Sequence, residues 1–458
     1  MLFHSWHFAI FFIIVYSVYL PLGKTKFYLY WLLVTSYFFY GWWNPLYLLI
    51  IAYSTAVNYY AVVLMQRSQR KGFWLTLSIV NSLGLLGFFK YGVFVTDNLN
   101  ALLSLVGAPL TIPAPGILFP VGISFYTFQA MSYTIDFYRG NIEREPSFIR
   151  FATFVSLFPR LLAGPIERAG NLLPQLREKP EISSENITDG LSLFVVGLFK
   201  KVALADYLAL YVDKAYAAPG LSDGLTLMLA TFAFCWQIYF DFSGYTDMAR
   251  GIARIMGFNL MLNFSNPYLA TGLGDFWRRW HISLSSWFRD YLYIPLGGNR
   301  KGKFNTYRNM FVTMVVSGLW HGAAWTFVIW GALHAVGRFL TRELERTEFY
   351  EKKVPKLVKQ LSVFVFVTFA WIFFRAESLS DAALIVKGIF TAGLANPNFP
   401  ILALLFCLSI WIYQFLFESR IRKFLDWTPL KIGVTCLMLL YLMIFTTSGH
   451  EAFIYLQF

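Results

Sequence analysis

Charged residues are scarce in this 458-residue chain, and no long polar block separates its apolar stretches. Asp, Glu, Lys and Arg make up 14% of the residues, whereas soluble domains carry about 25%. Hydrophobic residues make up 57%, and the mean hydropathy is +0.54. Such a chain has too few polar side chains to cover a fold in water. In lipid the backbone must satisfy its own hydrogen bonds, so the composition predicts an all-α, polytopic membrane protein.

Motifs that identify several enzyme classes are missing as well. The sequence contains no HExxH pattern, no GxSxG nucleophile elbow, no Walker A loop and no GxGxxG turn that follows a strand. Its three cysteines, Cys235, Cys407 and Cys436, are isolated in apolar runs and form no CxxC pair. We therefore predict buried structural thiols, no disulfide framework and no metal site.

The positive charge of the chain lies mostly between its apolar runs. The net charge is +13, from 38 Lys and Arg and 25 Asp and Glu. Cytoplasmic loops of membrane proteins carry such an excess, so the predicted partner is anionic lipid and not nucleic acid. Lys24 and Lys26 in the first connection, with Arg67, Arg70 and Lys71 in the third, predict cytoplasmic loops and an N-terminus that faces outside.

Apolar segments long enough to cross about 30 Å of hydrocarbon recur along the chain. The first has no basic region before it and no small-residue cleavage site, which predicts an uncleaved helix. Val95–Val106 and Phe151–Leu162 are too short to cross and predict re-entrant or interfacial helices. We predict about 11 transmembrane spans, with the run at 310–340 long enough for two segments. These spans lie near residues 6–22, 27–43, 46–65, 73–93, 117–138, 190–210, 225–242, 310–340, 360–375, 400–417 and 432–446.

Residues 271–300, TGLGDFWRRWHISLSSWFRDYLYIPLGGNR, form the most informative polar stretch. If the stretch forms one helix, its tryptophans gather on one side and its charged residues on the other, with His281 at the aromatic edge. Two interpretations stay open: an ordinary interfacial helix with an Asp275–Arg279 pair, or the wall of a reaction chamber. The basic loop that starts at Gly297 suits an anionic donor such as a coenzyme A thioester.

A second histidine, His321, lies in the segment SGLWHGAAW inside the apolar run from Met310 to Leu340. An ionisable residue inside a membrane span is costly and is a functional candidate. Imidazole has an ordinary pKa near 6.5, so it can take a proton from an attacking hydroxyl at neutral pH. The alternative is a hydrogen-bonded core histidine that joins two helices. His334 lies 334 − 321 = 13 residues further on, and on one continuous helix it faces away from His321.

The depth of His321 follows from the length of its helix. A helix that starts at Asn309 after a cytoplasmic loop rises about 18 Å over the 321 − 309 = 12 residues to His321. We therefore predict that His321 lies near or just past the middle of the hydrocarbon core. A cavity should reach it, with His281 and at least one of Trp277, Trp280 and Trp320 on the wall.

Two shorter polar segments interrupt apolar runs. YFDFSGYTD at 239–247 contains Asp241 and Asp247, and AGPIER at 163–168 contains Glu167 and Arg168. Either segment is interpreted as a helix cap or a turn.

Taken together, these segments resemble the membrane-bound O-acyltransferase (MBOAT) superfamily, and most of all its alginate-acetylating branch. The resemblance covers most of residues 117–335, in the family's order, and the PLGGNR turn separates the chain from the D-alanyl-transfer branch. The segments that carry it are PVGISFYTF at 120–128, AGPIER at 163–168, YFDFSGYTDMA at 239–249, FWRRWHISLSSWFRDYLYIPLGGNR at 276–300 and GLWHGAAWTFVIWG at 318–331.

The resemblance implies roles for individual residues. His321 matches the family's catalytic histidine in the WHG motif, and His281 matches a second recurrent histidine in RRWHISLS. The implied fold is one membrane domain over residues 1–458, with helices around a central tunnel. Its parts are N-terminal helices at 1–93, a catalytic core at 117–340 and C-terminal helices at 360–458. For the wall of the substrate channel we predict Trp277, Arg278, Trp280, Trp287, Trp320 and Asp241.

The implied activity is O-acetyl transfer from a cytoplasmic donor to hydroxyls of an exported, alginate-like polysaccharide. Acetyl-CoA or a similar thioester is the expected donor, and no bound cofactor is expected. An SGNH-type periplasmic partner and a bacterial inner membrane location are also implied. The alternatives are O-acetylation of peptidoglycan or cellulose, D-alanyl transfer to teichoic acid, and a non-enzymatic polysaccharide exporter.

Overall fold

The computed structural model describes residues 1–116, 119–162, 164–395, 397–425 and 427–445, and every regular element in these ranges is a helix. Five of the described helices are long and apolar enough to cross a membrane. These observations confirm the predicted all-α, polytopic membrane fold. The number of about 11 spans and the central tunnel stay predictions. The predicted spans at 117–138 and 432–446 each include residues outside the described ranges, namely 117, 118 and 446.

The chain forms two compact units. Unit 1 comprises residues 1–190 and 252–261, and unit 2 comprises residues 191–251 and 262–458. The predicted division at 1–93, 117–340 and 360–458 stays a prediction. The helices of unit 1 are α1 (Trp6–Leu22), α2 (Tyr28–Gly41), α3 (Tyr47–Arg67), α4 (Lys71–Leu105), α5 (Ile123–Tyr138), α6 (Phe148–Ser156), α7 (Phe158–Leu161) and α8 (Ala169–Arg177).

Unit 2 contains most of the remaining helices, and α9 and α11 contribute residues to both ranges. Short π-helical segments cover Lys200–Ala205, Arg289–Tyr293 and Phe349–Lys353, and 3₁₀ turns cover Pro219–Leu221 and Pro267–Leu269. The α-helices are α9 (Ser184–Phe199), α10 (Asp206–Ala217), α11 (Gly224–Ile255), α12 (Leu273–Arg279), α13 (Ile282–Phe288), α14 (Gly302–His321), α15 (Trp325–Leu344), α16 (Lys356–Arg375), α17 (Leu379–Thr391), α18 (Ile401–Phe417), α19 (Arg422–Leu425) and α20 (Thr428–Phe445).

Several predicted boundaries are wrong. Val95–Val106 is not a separate interfacial helix, because α4 continues without a break from Lys71 to Leu105. The chain leaves the helical conformation after Leu105, and Gly107 has a positive φ of 69°. Phe151–Leu162 is indeed too short to cross, since it contains the end of α6 and the single turn α7. Of the three thiols, Cys436 is exposed on α20, whereas the other two are buried as predicted.

Unit 1 is held together by a buried polar cluster between helices. Asn58 of α3 accepts hydrogen bonds from Ser78 of α4 (3.0 Å) and Thr134 of α5 (2.9 Å). Its amide donates to Ser82 of α4 (3.3 Å) and to the Ser54 carbonyl (2.9 Å). Membrane helices have no hydrophobic driving force towards each other, so such bonds and close packing supply the association.

In unit 2 the apolar run at 310–340 forms two helices, α14 and α15, as predicted. The turn between them contains Gly322, which ends α14 with an extended backbone. The two helices pack closely because glycines lie at their contact. A Cβ on Gly318 would overlap the Phe327 carbonyl, and one on Gly331 would lie 2.9 Å from the Val315 Cα. This hairpin positions His321 at the end of α14.

Candidate active site

The stretch at 271–300 does not form one helix, so the predicted arrangement of its side chains is wrong. Helix α12 ends at Arg279, α13 begins at Ile282, and His281 between them has a left-handed backbone (φ 43°, ψ 54°). Only a few per cent of non-glycine residues adopt positive φ, and they do so where surrounding contacts enforce it. The predicted Asp275–Arg279 pair is present at 3.1 Å within α12.

Asn263 enforces the turn at His281. Its backbone carbonyl accepts from Ile282 N at 2.9 Å. Its side-chain Oδ1 accepts from Ser283 N (3.1 Å) and Ser283 Oγ (2.9 Å), and lies 3.1 Å from His281 Nδ1. Asn263, His281 and Ser283 are each at most 1% exposed. The asparagine therefore holds both the backbone and the imidazole of the turn.

His281 is buried among aromatic rings. Its ring centroid lies 4.6 Å from that of Phe242 on α11 and 6.0 Å from that of Trp320 on α14. The turn that carries it joins two helices of seven residues, neither of which is long enough to span a membrane. Burial lowers the pKa of His281 to about 3, so its imidazole is uncharged at neutral pH.

His321 is the last residue of α14 and is 3% exposed. Its ring centroid lies 6.4 Å from that of His281, 5.2 Å from Trp330 and 5.3 Å from Phe374. The fold thus brings together the two histidines that the sequence analysis selected. This separation is short enough for one substrate to contact both rings.

The predicted helix that precedes His321 is too short. Helix α14 begins at Gly302 rather than at Asn309. From Gly302 to His321 are 321 − 302 = 19 residues, a rise of about 28 Å along the axis. The depth of His321 in the hydrocarbon core stays a prediction, because the start of α14 does not fix where the membrane begins.

His334 does not face away from the candidate site. Because α14 ends at His321, α15 returns antiparallel to it and places His334 beside Trp330 at 4.7 Å and Trp277 at 5.0 Å. The Trp330 ring therefore contacts His321 on α14 and His334 on α15. His334 is completely buried.

A cavity of about 480 Å³ lies next to the histidine pair. Its wall contains four arginines, five hydroxyl side chains and no carboxylate. On α14 it reaches Ser317, and on α13 it reaches Ser285, each one helical turn from His321 or His281. Its lining residues are Gly274, Trp277, Arg278, Ile282, Ser285, Ser286, Phe288, Arg289, Tyr293, Met310, Thr313, Met314, Ser317, Arg338 and Arg342.

Of the residues predicted for the channel wall, Trp277 and Arg278 line this cavity. The other four and both histidines are not part of its lining. Trp320 contacts both histidines instead, and Trp280 packs 5.1 Å from Trp371. That a cavity reaches His321 itself stays a prediction.

Asp241 lies inside a helix and not in a cap or turn, because α11 continues to Ile255. It forms a 2.7 Å ion pair with Lys201, which also binds Asp206 at 2.8 Å. The next lysine, Lys200, pairs with Asp247 at 2.6 Å. Both lysines belong to the π-helical segment Lys200–Ala205, and these pairs neutralise acids that would otherwise be costly at this depth.

Asn263 and Arg342 are candidate site residues that no pattern in the sequence indicates. Asn263 stands alone among apolar residues in FNLMLNF at 258–264, which is a weak signal of a buried polar contact. Arg342 lies at the end of α15, where a basic residue is ordinary. Neither pattern connects the residue to a histidine or to a cavity that is distant in sequence.

Known proteins with similar sequences match this chain over most of its length. Two proteins named probable alginate O-acetylase are 43% (Pseudomonas putida) and 42% (Pseudomonas aeruginosa) identical to it over 79% of its length, and cover 74% and 69% of their own. A peptidoglycan O-acetyltransferase of Helicobacter pylori is 36% identical over 78% of this chain and 73% of its own. Residues 19–380 match the model of the membrane-bound O-acyltransferase family. With its helical membrane fold and paired histidines, the chain belongs to this family and is a multi-pass membrane acyltransferase.

Proposed function

We propose that this enzyme transfers acetyl groups from a cytoplasmic thioester to hydroxyls of an exported, alginate-like polysaccharide. The observation that carries the proposal is the buried pair His281 and His321, whose ring centroids are 6.4 Å apart. The names of the relatives, alginate O-acetylase and peptidoglycan O-acetyltransferase, support acetyl as the acyl group and a polysaccharide as the acceptor.

In the proposed reaction, His321 acts as the general base. Its uncharged imidazole takes the proton of the acceptor hydroxyl while the hydroxyl oxygen forms a bond to the acetyl carbon. The carbon–sulfur bond of the thioester breaks, and the leaving thiolate takes the proton back from the imidazolium. The products are an acetyl ester and a free thiol, so no oxidant or reductant is needed. General base catalysis of this kind contributes roughly 10²–10⁴ in rate.

The donor site that we propose is the four-arginine cavity. Three of its arginines already contact carboxylates: Arg278 with Asp275, Arg289 with Asp290 and Arg338 with Glu345. Arg342 differs, because its polar contact among the described residues is the Met310 sulfur at 3.8 Å. Its charge is therefore available to the phosphate groups of a thioester such as acetyl-CoA.

The donor site is tested by Arg342→Gln in purified enzyme with acetyl-CoA as the probe. We expect the donor KM to rise about tenfold with kcat nearly unchanged, as for lost uniform binding. The matched control is Arg346→Gln, because the Arg346 side chain is 51% exposed, pairs with Glu343 and is not part of the cavity lining. An unchanged donor KM in Arg342→Gln would remove this cavity as the donor site.

The bacterial inner membrane is the proposed location. An SGNH-type periplasmic protein is the proposed partner, which receives the acetyl group and passes it on to the polysaccharide. The absence of a Walker loop from the sequence disfavours a nucleotide-driven exporter. Neighbouring genes distinguish acetyl transfer from D-alanyl transfer. A gene for an SGNH-like protein beside polymer synthases favours acetylation, whereas a carrier-protein ligase favours D-alanylation of teichoic acid.

The decisive experiment is chemical analysis of exported and cell-wall polysaccharides for O-acetyl groups with and without this chain. We expect ester acetate to disappear on deletion and to return with the wild-type chain. His321→Ala should fail to restore it, and the control Cys436→Ser, an exposed position on α20, should restore it. Loss of acetate from peptidoglycan or cellulose would redirect the proposal to that polymer, and unchanged acetate in every polymer would refute it.

A further inference from the structure

We propose that Asn263 is the positioning residue that fixes His281 in one tautomer, with the proton on Nδ1 and the lone pair on Nε2. The proposal rests on the proposed function to the extent that His281 takes part in acyl transfer. It requires no ligand and follows from four contacts around one turn.

The first step identifies the side-chain atom of Asn263 that faces the turn. The backbone N–H of Ser283 lies 3.1 Å from it. A backbone N–H can only donate, and an amide NH₂ cannot accept. The atom is therefore the oxygen Oδ1, and the orientation of the amide is decided by a group that has no alternative role.

The second step assigns the proton on His281. Its Nδ1 lies 3.1 Å from the same Oδ1, which can only accept. If Nδ1 lacked a proton, two lone pairs would face each other at this distance. The Ser283 hydroxyl lies 3.5 Å from Nδ1, but only 2.9 Å from Asn263 Oδ1, to which it donates. Nδ1 therefore carries the proton, and in the uncharged ring the lone pair is on Nε2.

The third step concerns the construction of the turn. The left-handed backbone at His281 directs the N–H groups of Ile282 and Ser283 to the carbonyl and the Oδ1 of Asn263. Strained backbone of this kind persists where contacts enforce it, and it is concentrated at functional sites. The same asparagine thus sets the path of the chain and the proton position of the ring.

The consequence is a division of roles between the two histidines. With Nδ1–H committed to Asn263, His281 presents an acceptor and not a donor to the reacting groups. It can accept a hydrogen bond from a second hydroxyl of the acceptor and so orient the acceptor, while His321 takes the proton of the attacking hydroxyl. The titratable group that faces His281 among its described ring contacts is His321, while α11 presents Phe242 and the preceding segment presents Phe264.

Kinetics of purified full-length enzyme test the proposal. Asn263→Leu removes the acceptor, and we expect kcat to fall about tenfold, no further than in His281→Ala, with the donor KM changed little. Asn263→Asp keeps an acceptor oxygen at Nδ1–H but adds a negative charge, which favours the protonated imidazole. At high pH the Asn263→Asp enzyme should therefore retain more activity than Asn263→Leu. The acid limb of its rate profile should shift to higher pH than in the wild type. Asn259→Leu is the matched control and should keep the wild-type kcat, since Asn259 lies in the same segment but is exposed and contacts Arg254 instead of the turn at His281.

Nitrogen-15 NMR of histidine-labelled enzyme measures the tautomer directly. We expect one signal set with a protonated Nδ1 and an unprotonated Nε2, absent from His281→Gln. A folded Asn263→Leu enzyme with wild-type kcat, or a His281 signal with the proton on Nε2, would overturn the proposal. If the wild-type enzyme modifies no polysaccharide, the proposed function fails, while the NMR result still decides the tautomer.

Discussion

Two buried asparagines, one in each compact unit, show how differently this protein uses the same side chain. Asn58 in α3 is fully satisfied: its oxygen accepts from Ser78 and Thr134, and its amide donates to Ser82 and the Ser54 carbonyl. These partners come from α3, α4 and α5, and none of them is a titratable group. The cluster therefore joins helices and contains no titratable group that could take part in a reaction.

Asn263 in unit 2 differs from Asn58, because its side-chain partners lie in one turn and include a titratable group. All its described side-chain contacts use Oδ1, and they all lie in the turn at His281–Ser283. Its amide nitrogen Nδ2 is buried and has no hydrogen-bond partner among the described residues. Partly satisfied buried amides are uncommon in structural cores. The contrast indicates that residues around Asn58 determine stability and that residues around Asn263 determine activity.

The largest expected effect that tests this contrast belongs to His321→Ala. Removal of the proposed base should lower acetyl transfer by roughly 10²–10⁴, while membrane insertion and folding stay nearly unchanged. Activity per folded molecule and the unfolding midpoint are the two measurements. His334→Phe is the matched control, because His334 is a completely buried histidine in the same aromatic cluster. A folded His321→Ala enzyme that keeps most of its activity would make His321 a structural residue.

A smaller loss is expected for His281→Ala, because in the proposed mechanism His281 orients a substrate and does not exchange its proton. We expect a loss of about tenfold to 100-fold, a fraction of the general-base contribution. In the double mutant with His321→Ala, the combined loss should be far below the sum of the single losses, as for residues that act as one unit. The measurement is kcat/KM for all four enzymes. Fully additive losses would show that the two histidines act independently.

The reverse pattern is expected for Asn58→Leu, which should cost stability and not activity. Interhelical hydrogen bonds in membranes contribute about 0.6 kcal/mol each on average. Loss of the contacts to Ser78, Ser82 and Thr134 should therefore lower the free energy of unfolding by about 1–2 kcal/mol. Asn81→Leu is the control, because Asn81 makes an exposed bond to Tyr53 on the same helix pair. A large fall in kcat of folded Asn58→Leu enzyme would contradict the contrast.

The two asparagines also mark what sequence can and cannot predict here. The apolar runs predict the membrane helices, and the length of the run at 310–340 predicts the two segments that form α14 and α15, because length acts locally. The break at His281 was not predictable from helical periodicity, since it depends on Asn263, 281 − 263 = 18 residues earlier. The continuous-helix assumption likewise misplaced His334, which the turn after His321 brings back beside Trp330.

The smallest expected effect is on stability in acid. It distinguishes the site around Asn263, which contains the titratable His281, from the cluster around Asn58, whose hydrogen-bond partners are not titratable. Burial lowers the pKa of His281 to about 3, whereas in the unfolded chain it is near 6.5. Between these values the unfolded state binds a proton that the folded state does not, so stability falls as the pH drops below about 6.5. One such group contributes at most about 1.4 kcal/mol per pH unit, and nothing above pH 7. His281→Gln should therefore show a shallower decline of the unfolding midpoint between pH 6.5 and about 5.

Trp320→Phe is the control, because it disturbs packing beside His281 but removes no titratable group and should keep the wild-type slope. Equal slopes in His281→Gln and the wild type would mean that His281 is not held uncharged. The two asparagine sites would then not differ in their effect on the pH dependence of stability.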